Sequence, residues 1–194
     1  EYKLMIKDID IISGYLKLLQ NKNIPVIWRP LHEAAGNTNS YVGGTGWFWW
    51  GAKGPEPCKT LWKLMFERMT NYHKLNNLIW VWTSQGNDFD WYPGDAYVDL
   101  VGRDLYPETN IHDSQLTEFN KVKTIVAGKK MIALSECGGI PDPGLMFEKG
   151  DTWLWFMPWY GDFTRDNKQN GAAYWKTVMN NVNVITRDQM PSLK

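Results

Sequence analysis

Apolar positions along the chain follow two spacings in turn, and the alternation predicts helices and strands in succession. Residues 5–20 carry apolar side chains at helical spacing, whereas 24–31 is a nearly continuous apolar run, as in a buried strand. The same two patterns recur to the end of the chain. They predict further helices at 59–74, 114–127 and 171–183, strands at 78–83, 98–106, 130–136 and 153–160, and long loops at 34–57 and 138–149.

Strict alternation of strands and helices is typical of a parallel sheet with helices packed on it. Only five strands are predicted, whereas a closed (β/α)8 barrel has eight and takes about 250 residues. We therefore interpret residues 1–194 as one α/β unit, the carboxyl-terminal part of a (β/α)8 TIM barrel that covers about strands 4 to 8. The three amino-terminal strands are expected to be missing, with Glu1 at a cut point, and to come from the same or another chain.

Two of the predicted strands lead into a glutamate. Glu33 follows the run at 24–31 and Glu136 ends the run at 130–136. Carboxyl ends of parallel strands form the catalytic face of such a barrel, and the interval fits about three βαβ steps of roughly 30 residues or more. Two facing carboxylates are what glycoside hydrolysis needs. The plainer alternative is that each glutamate only solvates a strand end.

Tryptophan is the compositional signal that favours a sugar-binding cleft. The chain has 12 tryptophans, more than a core of this size needs, and indole rings stack on the apolar faces of pyranoses. Some of these tryptophans are expected in the core instead. These are Trp28, Trp62, Trp80, Trp153 and Trp175.

Charge and ligand-type residues exclude several classes of function. The formal net charge is zero with no basic run, so neither nucleic acid nor a membrane surface is an expected partner. Three dispersed histidines and no Cys-x-x-Cys motif predict no metal cluster and no cofactor, while a structural calcium ion at a loop carboxylate stays an alternative. A disulfide between Cys58 and Cys137 is possible but not favoured, because they are expected on opposite sides of the barrel.

Five short motifs stand in a fixed order along the chain. They are Trp28-Arg-Pro-Leu-His-Glu33, Trp47-Phe-Trp-Trp-Gly51, Val101-Gly-Arg-Asp-Leu-Tyr106, Ser135-Glu136-Cys-Gly and Phe156-Met-Pro-Trp159-Tyr. At these motifs, and over essentially its whole length, the chain resembles glycoside hydrolase family 26, most closely the β-mannanases of that family. The resemblance implies a retaining mechanism with Glu33 as acid/base and Glu136 as nucleophile.

The resemblance also implies several substrate-binding residues. Tyr106 matches a tyrosine that hydrogen-bonds the nucleophile, and His32 matches a substrate-contacting histidine. Trp47 and Trp159 match tryptophans of the central subsites, and Trp50 either shares that work or holds its loop. Arg29, near the top of a strand, would need a carboxylate partner if buried, and orienting one of the glutamates is its expected role. The segment Asn37–Gly46 departs from the family pattern as an insertion, which leaves endo or exo action open.

The sequence thus predicts a secreted retaining β-1,4-mannanase, of bacterial origin, that cleaves mannan, glucomannan or galactomannan. A family 26 xylanase or β-1,3-1,4-glucanase with the same two glutamates is the nearest alternative. A non-catalytic carbohydrate-binding protein is the alternative from another class.

Overall fold

The chain folds around a sheet of five parallel strands. The computed structural model describes residues 1–36, 46–165 and 167–191. The strands follow one another in the sheet in chain order, β1 (Val26–Trp28), β2 (Leu78–Ser84), β3 (Leu100–Leu105), β4 (Met131–Cys137) and β5 (Phe156–Pro158). All four neighbouring pairs are parallel, so every carboxyl end lies at the same edge. This confirms the predicted parallel sheet, which curls into part of a barrel.

Helices precede β1, follow β5 and join most successive strands, whereas short 3-10 turns rather than an α-helix join β2 to β3. The α-helices are α1 (Tyr2–Gln20), α2 (Pro55–Glu67), α3 (Leu116–Ile125), α4 (Pro143–Lys149), α5 (Asp162–Arg165), α6 (Asn167–Asn170) and α7 (Ala172–Met179). A π-helical turn, Arg68–Tyr72, continues α2, and short 3-10 turns occupy Phe89–Trp91, Asp95–Tyr97 and Arg187–Gln189.

The central strands carry the core because they are covered on both faces. In β3 all six residues are buried, and in β4 only Met131 is exposed. Trp62 on α2 packs against Trp80 on β2 with ring centroids 5.8 Å apart, which joins that helix to the sheet. The core tryptophans Trp62, Trp80 and Trp153 are buried as predicted, whereas Trp28 and Trp175 are only partly buried.

The outer strands are shorter than the apolar runs that predicted them. The run at 24–31 forms only the three-residue β1, because Pro30 has no N–H for the ladder and Leu31 adopts a left-handed φ of 50°. The run at 153–160 likewise forms only Phe156–Pro158. The predicted extents of both strands were therefore wrong, although their existence and positions were right.

The stretch 138–149, predicted to be a loop, contains α4. Asp142 caps this helix by accepting from the Leu145 N–H, Pro143 fits its first turn, and Gly150 closes it in the left-handed conformation. Pro143 and Gly150, residue types that are common in loops, therefore mark the two ends of a short helix. The last long helix also ends earlier than predicted, at Met179 rather than near Asn183.

Three further features accompany this fold. Cys58 and Cys137 are both buried free thiols. The insertion Asn37–Gly46 falls, except for Gly46, outside the described residues. Among the helices that the structure describes, none is long and apolar enough to span a membrane.

Candidate active site

Carboxylates from three parts of the sheet meet at its carboxyl edge. Glu33 follows β1, Asp104 lies near the end of β3, and Glu136 lies near the end of β4. One carboxylate oxygen from each of the three lies within 4.8 Å of the others. The structure thus brings the two glutamates predicted from the sequence together, although about a hundred residues separate them along the chain.

Glu33 is presented by a tight and strained turn. Leu31 and Glu33 itself both have left-handed φ values, 50° and 51°, which non-glycine residues rarely adopt. The turn closes when the Gly36 N–H donates to the Glu33 carbonyl at 2.9 Å. Gly51 packs directly on this turn, because a Cβ there would lie 1.9 Å from the Ala34 carbonyl oxygen. Only glycine fits at 51, and its close approach fixes the tryptophan-rich segment beside Glu33.

The environment of Glu33 favours its protonated form. Burial raises the pKa of Glu33 to about 7, and the charges of Asp104 and Glu136 act in the same direction. The Trp47 indole opposes them, because its Nε1–H donates to Glu33 Oε2 at 2.8 Å and stabilises the ionised carboxylate. A hydrogen bond between Glu33 and Asp104 favours a proton on Glu33 and a negative charge on Asp104. Glu33 is thus suited to donate a proton.

Glu136 is 4% exposed and is held by donors on both of its oxygens. Arg29 Nη2 pairs with Oε1, and the Tyr106 hydroxyl donates to Oε2 at 2.9 Å. Burial and then the hydrogen bond to Glu136 raise the pKa of Tyr106, so the phenol stays a donor. Because Arg29 and Tyr106 both donate to it, the carboxylate is held in one orientation, as a nucleophile requires.

Asp104 is the functional-site residue that the sequence reasoning missed. It is buried, and it binds both Arg29 Nη1, at 3.1 Å, and the Ser135 hydroxyl, at 2.6 Å. Burial raises the pKa of Asp104, and the charge of Arg29 opposes that effect. Gly102 makes the contact with Ser135 possible, because a Cβ at 102 would lie 2.3 Å from Ser135 Oγ. The signal was present in the sequence as an Arg-Asp pair within an otherwise apolar strand.

Arg29 takes the position expected from the sequence, between carboxylates. Besides Asp104 and Glu136, its guanidinium contacts the Thr83 hydroxyl at 3.3 Å. Burial acts against its charge, but the two carboxylates outweigh burial and raise the pKa of Arg29. Three carboxylate oxygens so close together could also bind a metal ion, but Arg29 already supplies positive charge to two of them.

A cleft of about 810 Å³ opens above these groups. Five of the predicted site residues line it, namely Glu33, Trp47, Tyr106, Glu136 and Trp159. Within the described part of the chain, Arg29, His32 and Trp50 are not part of that lining. His32 packs against Phe48 and Trp50, with ring centroids 4.7 and 5.9 Å away, and Trp50 donates its indole N–H to the His32 carbonyl at 2.9 Å. Burial lowers the pKa of His32.

The arrangement is suited to chemistry that needs one acid and one anion on either side of a bond. Carboxyl groups about 5–5.5 Å apart belong to retaining glycosidases, whereas inverting enzymes need roughly 6.5–9.5 Å to admit a water. One oxygen of Glu33 lies within 4.8 Å of one oxygen of Glu136, so the two carboxyl groups approach each other closely. Burial raises the pKa of the Cys137 thiol to about 12, so this neighbouring sulfur stays protonated and is a poor nucleophile.

The family model and the curated relatives that match this chain point to the same family. The model of glycosyl hydrolase family 26 matches residues 1–189. A mannan endo-1,4-beta-mannosidase of Thermothelomyces thermophilus is 42% identical over 97% of this chain and 36% of its own length. Mannan endo-1,4-beta-mannosidase A of Piromyces sp. is 42% identical over 99% of this chain and 29% of its own. The chain spans about a third of the length of these relatives.

Solved structures agree at the level of the fold. A Podospora anserina GH26-CBM35 β-(1,4)-mannanase superposes with a TM-score of 0.86 at 44% identity, covering 97% of this chain and 39% of its own. A β-mannanase from a symbiotic protist of the termite Reticulitermes speratus, complexed with a gluco-manno-oligosaccharide, gives a TM-score of 0.87 at 39% identity. That match covers 98% of this chain and 56% of the protist chain.

Proposed function

The chain belongs to glycosyl hydrolase family 26, and from that premise we propose that the protein containing it is a retaining β-1,4-mannanase. Its substrate class is the mannan-type hemicelluloses, namely mannan, glucomannan and galactomannan. The proposed mechanism rests on the close approach of Glu33 and Glu136, each of which has an oxygen within 4.8 Å of the other. Burial and nearby negative charge raise the pKa of Glu33, whereas Glu136 accepts hydrogen bonds from Arg29 and Tyr106.

In the first step, Glu136 attacks the anomeric carbon of the mannosyl unit at the point of cleavage. The bond from that carbon to the leaving oxygen breaks, and Glu33 gives its proton to this oxygen. The raised pKa of Glu33 keeps the proton available near neutral pH. Arg29 and Tyr106 keep Glu136 oriented while its charge passes into the new ester bond.

In the second step, the ionised Glu33 removes a proton from a water molecule. The water oxygen attacks the same anomeric carbon, the ester to Glu136 breaks, and both carboxyl groups return to their starting states. Two inversions leave the product with the configuration of the substrate. Trp47 assists this step, because its N–H stabilises the ionised form of Glu33.

The nearest alternative substrates to mannan within the family are xylan and mixed-linkage β-glucan. The names of the relatives and the oligosaccharide in one related structure favour mannan. The binding-protein alternative predicted short antiparallel strands in a sandwich, which five parallel strands do not form.

We further propose that the functional protein contains about three more β/α units, in the same or another chain, since a barrel of this type closes with eight strands. Within the described sheet, β1 and β5 each pair on one side only. Action outside the cell is proposed because the polymer is extracellular. The bacterial source stays a prediction from the sequence.

The test is an assay of the full-length protein on galactomannan, xylan and lichenan in parallel. The proposal predicts reducing-sugar release from galactomannan well above that from the other two. Glu136→Ala protein is the control for contaminating activity, and it should be inactive on all three. Preferential release from xylan or lichenan would replace mannan as the substrate, and no release from any of them would contradict the enzymatic proposal.

A further inference from the structure

The cleft extends beyond the catalytic carboxylates into a polar corner. This corner consists of Gln85 at the end of β2, Arg103 on β3 and Glu118 on α3, all of which line the cleft together with Glu33 and Glu136. Nothing in the proposed mechanism uses these three side chains. The corner is nevertheless tightly organised, and its charges are compensated within it.

Arg103 is the centre of the polar corner. Its Nη2 donates to Glu118 Oε2 at 2.8 Å, while its Nη1 donates to Gln85 Oε1 at 3.1 Å and to the Asp104 carbonyl at 2.9 Å. Glu118 is held from its other side by Lys121, whose Nζ donates to Oε1 at 2.6 Å. A buried arginine with a carboxylate partner is stable only in such a network.

The backbone that carries Gln85 is equally fixed. The Gln85 N–H donates to Asp88 Oδ2 at 2.8 Å, and the Ser84 hydroxyl donates to the other oxygen of Asp88 at 2.6 Å. Asp88 and Ser84 are both buried. The position of Gln85 at the edge of the cleft is thus set before any ligand arrives.

The direction of the Gln85 amide follows from chemistry. Arginine carries only donors, so Gln85 must present its oxygen to Arg103 and turn its NH2 group away from it. Gln85 is 9% exposed, and within the described residues its Nε2 has no hydrogen-bond partner. An unpaired buried donor costs roughly 1–3 kcal/mol, which a hydrogen bond to a ligand would recover.

We propose that Gln85 is a substrate-binding residue, whose side-chain N–H donates to a hydroxyl oxygen of a mannosyl unit bound in the cleft. Arg103 and Glu118 position the amide and do not touch the sugar. The proposal rests on the function proposed above and adds a specific contact to it.

The test is a binding measurement on the full-length protein, carrying Glu136→Ala so that the probe, mannohexaose, is not cleaved. Gln85→Met removes the donor and keeps an unbranched side chain, and we expect it to weaken binding about 3- to 10-fold in calorimetry, as for one lost hydrogen bond. Gln115→Met is the matched control. That glutamine lines the same cleft, but its Nε2 already donates to the Asp113 carbonyl at 3.1 Å.

An unchanged dissociation constant in Gln85→Met, or an equal loss in Gln115→Met, overturns the proposal. A lower melting temperature without weaker binding also overturns it, because Gln85 would then serve only to hold Arg103. A crystal structure of the Glu136→Ala protein with mannohexaose keeps the test decisive if Gln85→Met does not fold. It should show a sugar oxygen within hydrogen-bond distance of Gln85 Nε2, and a bound sugar without this contact contradicts the proposal. If the parent protein cleaves mannan, such failures leave the proposed function intact.

Discussion

Replacing Trp47 by phenylalanine tests how the protonation of Glu33 is controlled. The Trp47 indole N–H donates to Glu33 Oε2 at 2.8 Å and lowers the pKa of Glu33, against the effects of burial and nearby charge that raise it to about 7. Trp47→Phe keeps an aromatic ring and removes the donor. The pKa of Glu33 should therefore rise. Since the protonated form acts in the first step, activity should persist to higher pH.

The size of the effect follows from the exposure of the pair. A hydrogen bond to a charged group is worth roughly 1.5–3 kcal/mol. Trp47 is 51% exposed, so water replaces part of the lost bond. We expect about half of the lower figure, ~0.7 kcal/mol, to survive. At about 1.36 kcal/mol per pKa unit, this moves the alkaline limb of the profile up by about half a pH unit.

The assay is the pH dependence of kcat/KM on a soluble manno-oligosaccharide, which reports the free enzyme. The pH at which the alkaline limb falls is compared between variants, and not the absolute rate, because Trp47 also lines the cleft and its replacement can change the rate in other ways. Trp50→Phe is the matched control, since its indole N–H donates to the His32 carbonyl and not to a carboxylate. An alkaline limb that stays in place or moves to lower pH in Trp47→Phe would refute this reasoning. A similar rise in Trp50→Phe would do the same.

Three further outcomes are expected. Glu33→Ala should release a burst of phenol from an activated aryl mannoside and then turn over slowly, because the second step needs the base; equal losses on activated and unactivated substrates, with no burst, would remove Glu33 from this role. Trp159→Ala should lower kcat as well as kcat/KM, and kinetics and thermal melting are measured on the same protein. A tryptophan with only a structural role would instead mainly lower the free energy of unfolding, by the ~3–5 kcal/mol of a large core truncation. Residues 1–194 expressed alone should self-associate in size-exclusion chromatography through the apolar β1 edge, where Ile24 and Ile27 are 44% and 55% exposed; a cooperatively folded, mannan-cleaving monomer would contradict the partial-barrel interpretation.

The sequence predicted the order of strands and helices well because the central strands are buried on both faces. In β4, residues 131–134 are apolar without a break, which favours a strand covered on both faces. Prediction was weaker at the sheet edges, where the extent of a strand depends on its partner and on local backbone. The run ending at Leu31 has the composition of a strand, but Pro30 and the left-handed Leu31 end it early.

The site was only partly predictable for a related reason. Glu33 and Glu136 stand out because each follows an apolar run, and the structure brings them together. Asp104 was missed because its meaning depends on contacts with Arg29 and Ser135, which only the folded sheet creates.

In the proposed mechanism, Glu136 forms a covalent bond to the sugar, and Glu33 acts as the general acid and base. Trapping the covalent glycosyl-enzyme is the most direct test of these two roles. The full-length protein is incubated with a 2-deoxy-2-fluoro mannosyl fluoride, which slows the release of a glycosyl-enzyme, and the labelled protein is digested and mapped by mass spectrometry. One added sugar is expected, on the peptide that contains Glu136. A label on Asp104 instead, or active protein that takes no label and yields products of inverted configuration, would contradict the proposed mechanism.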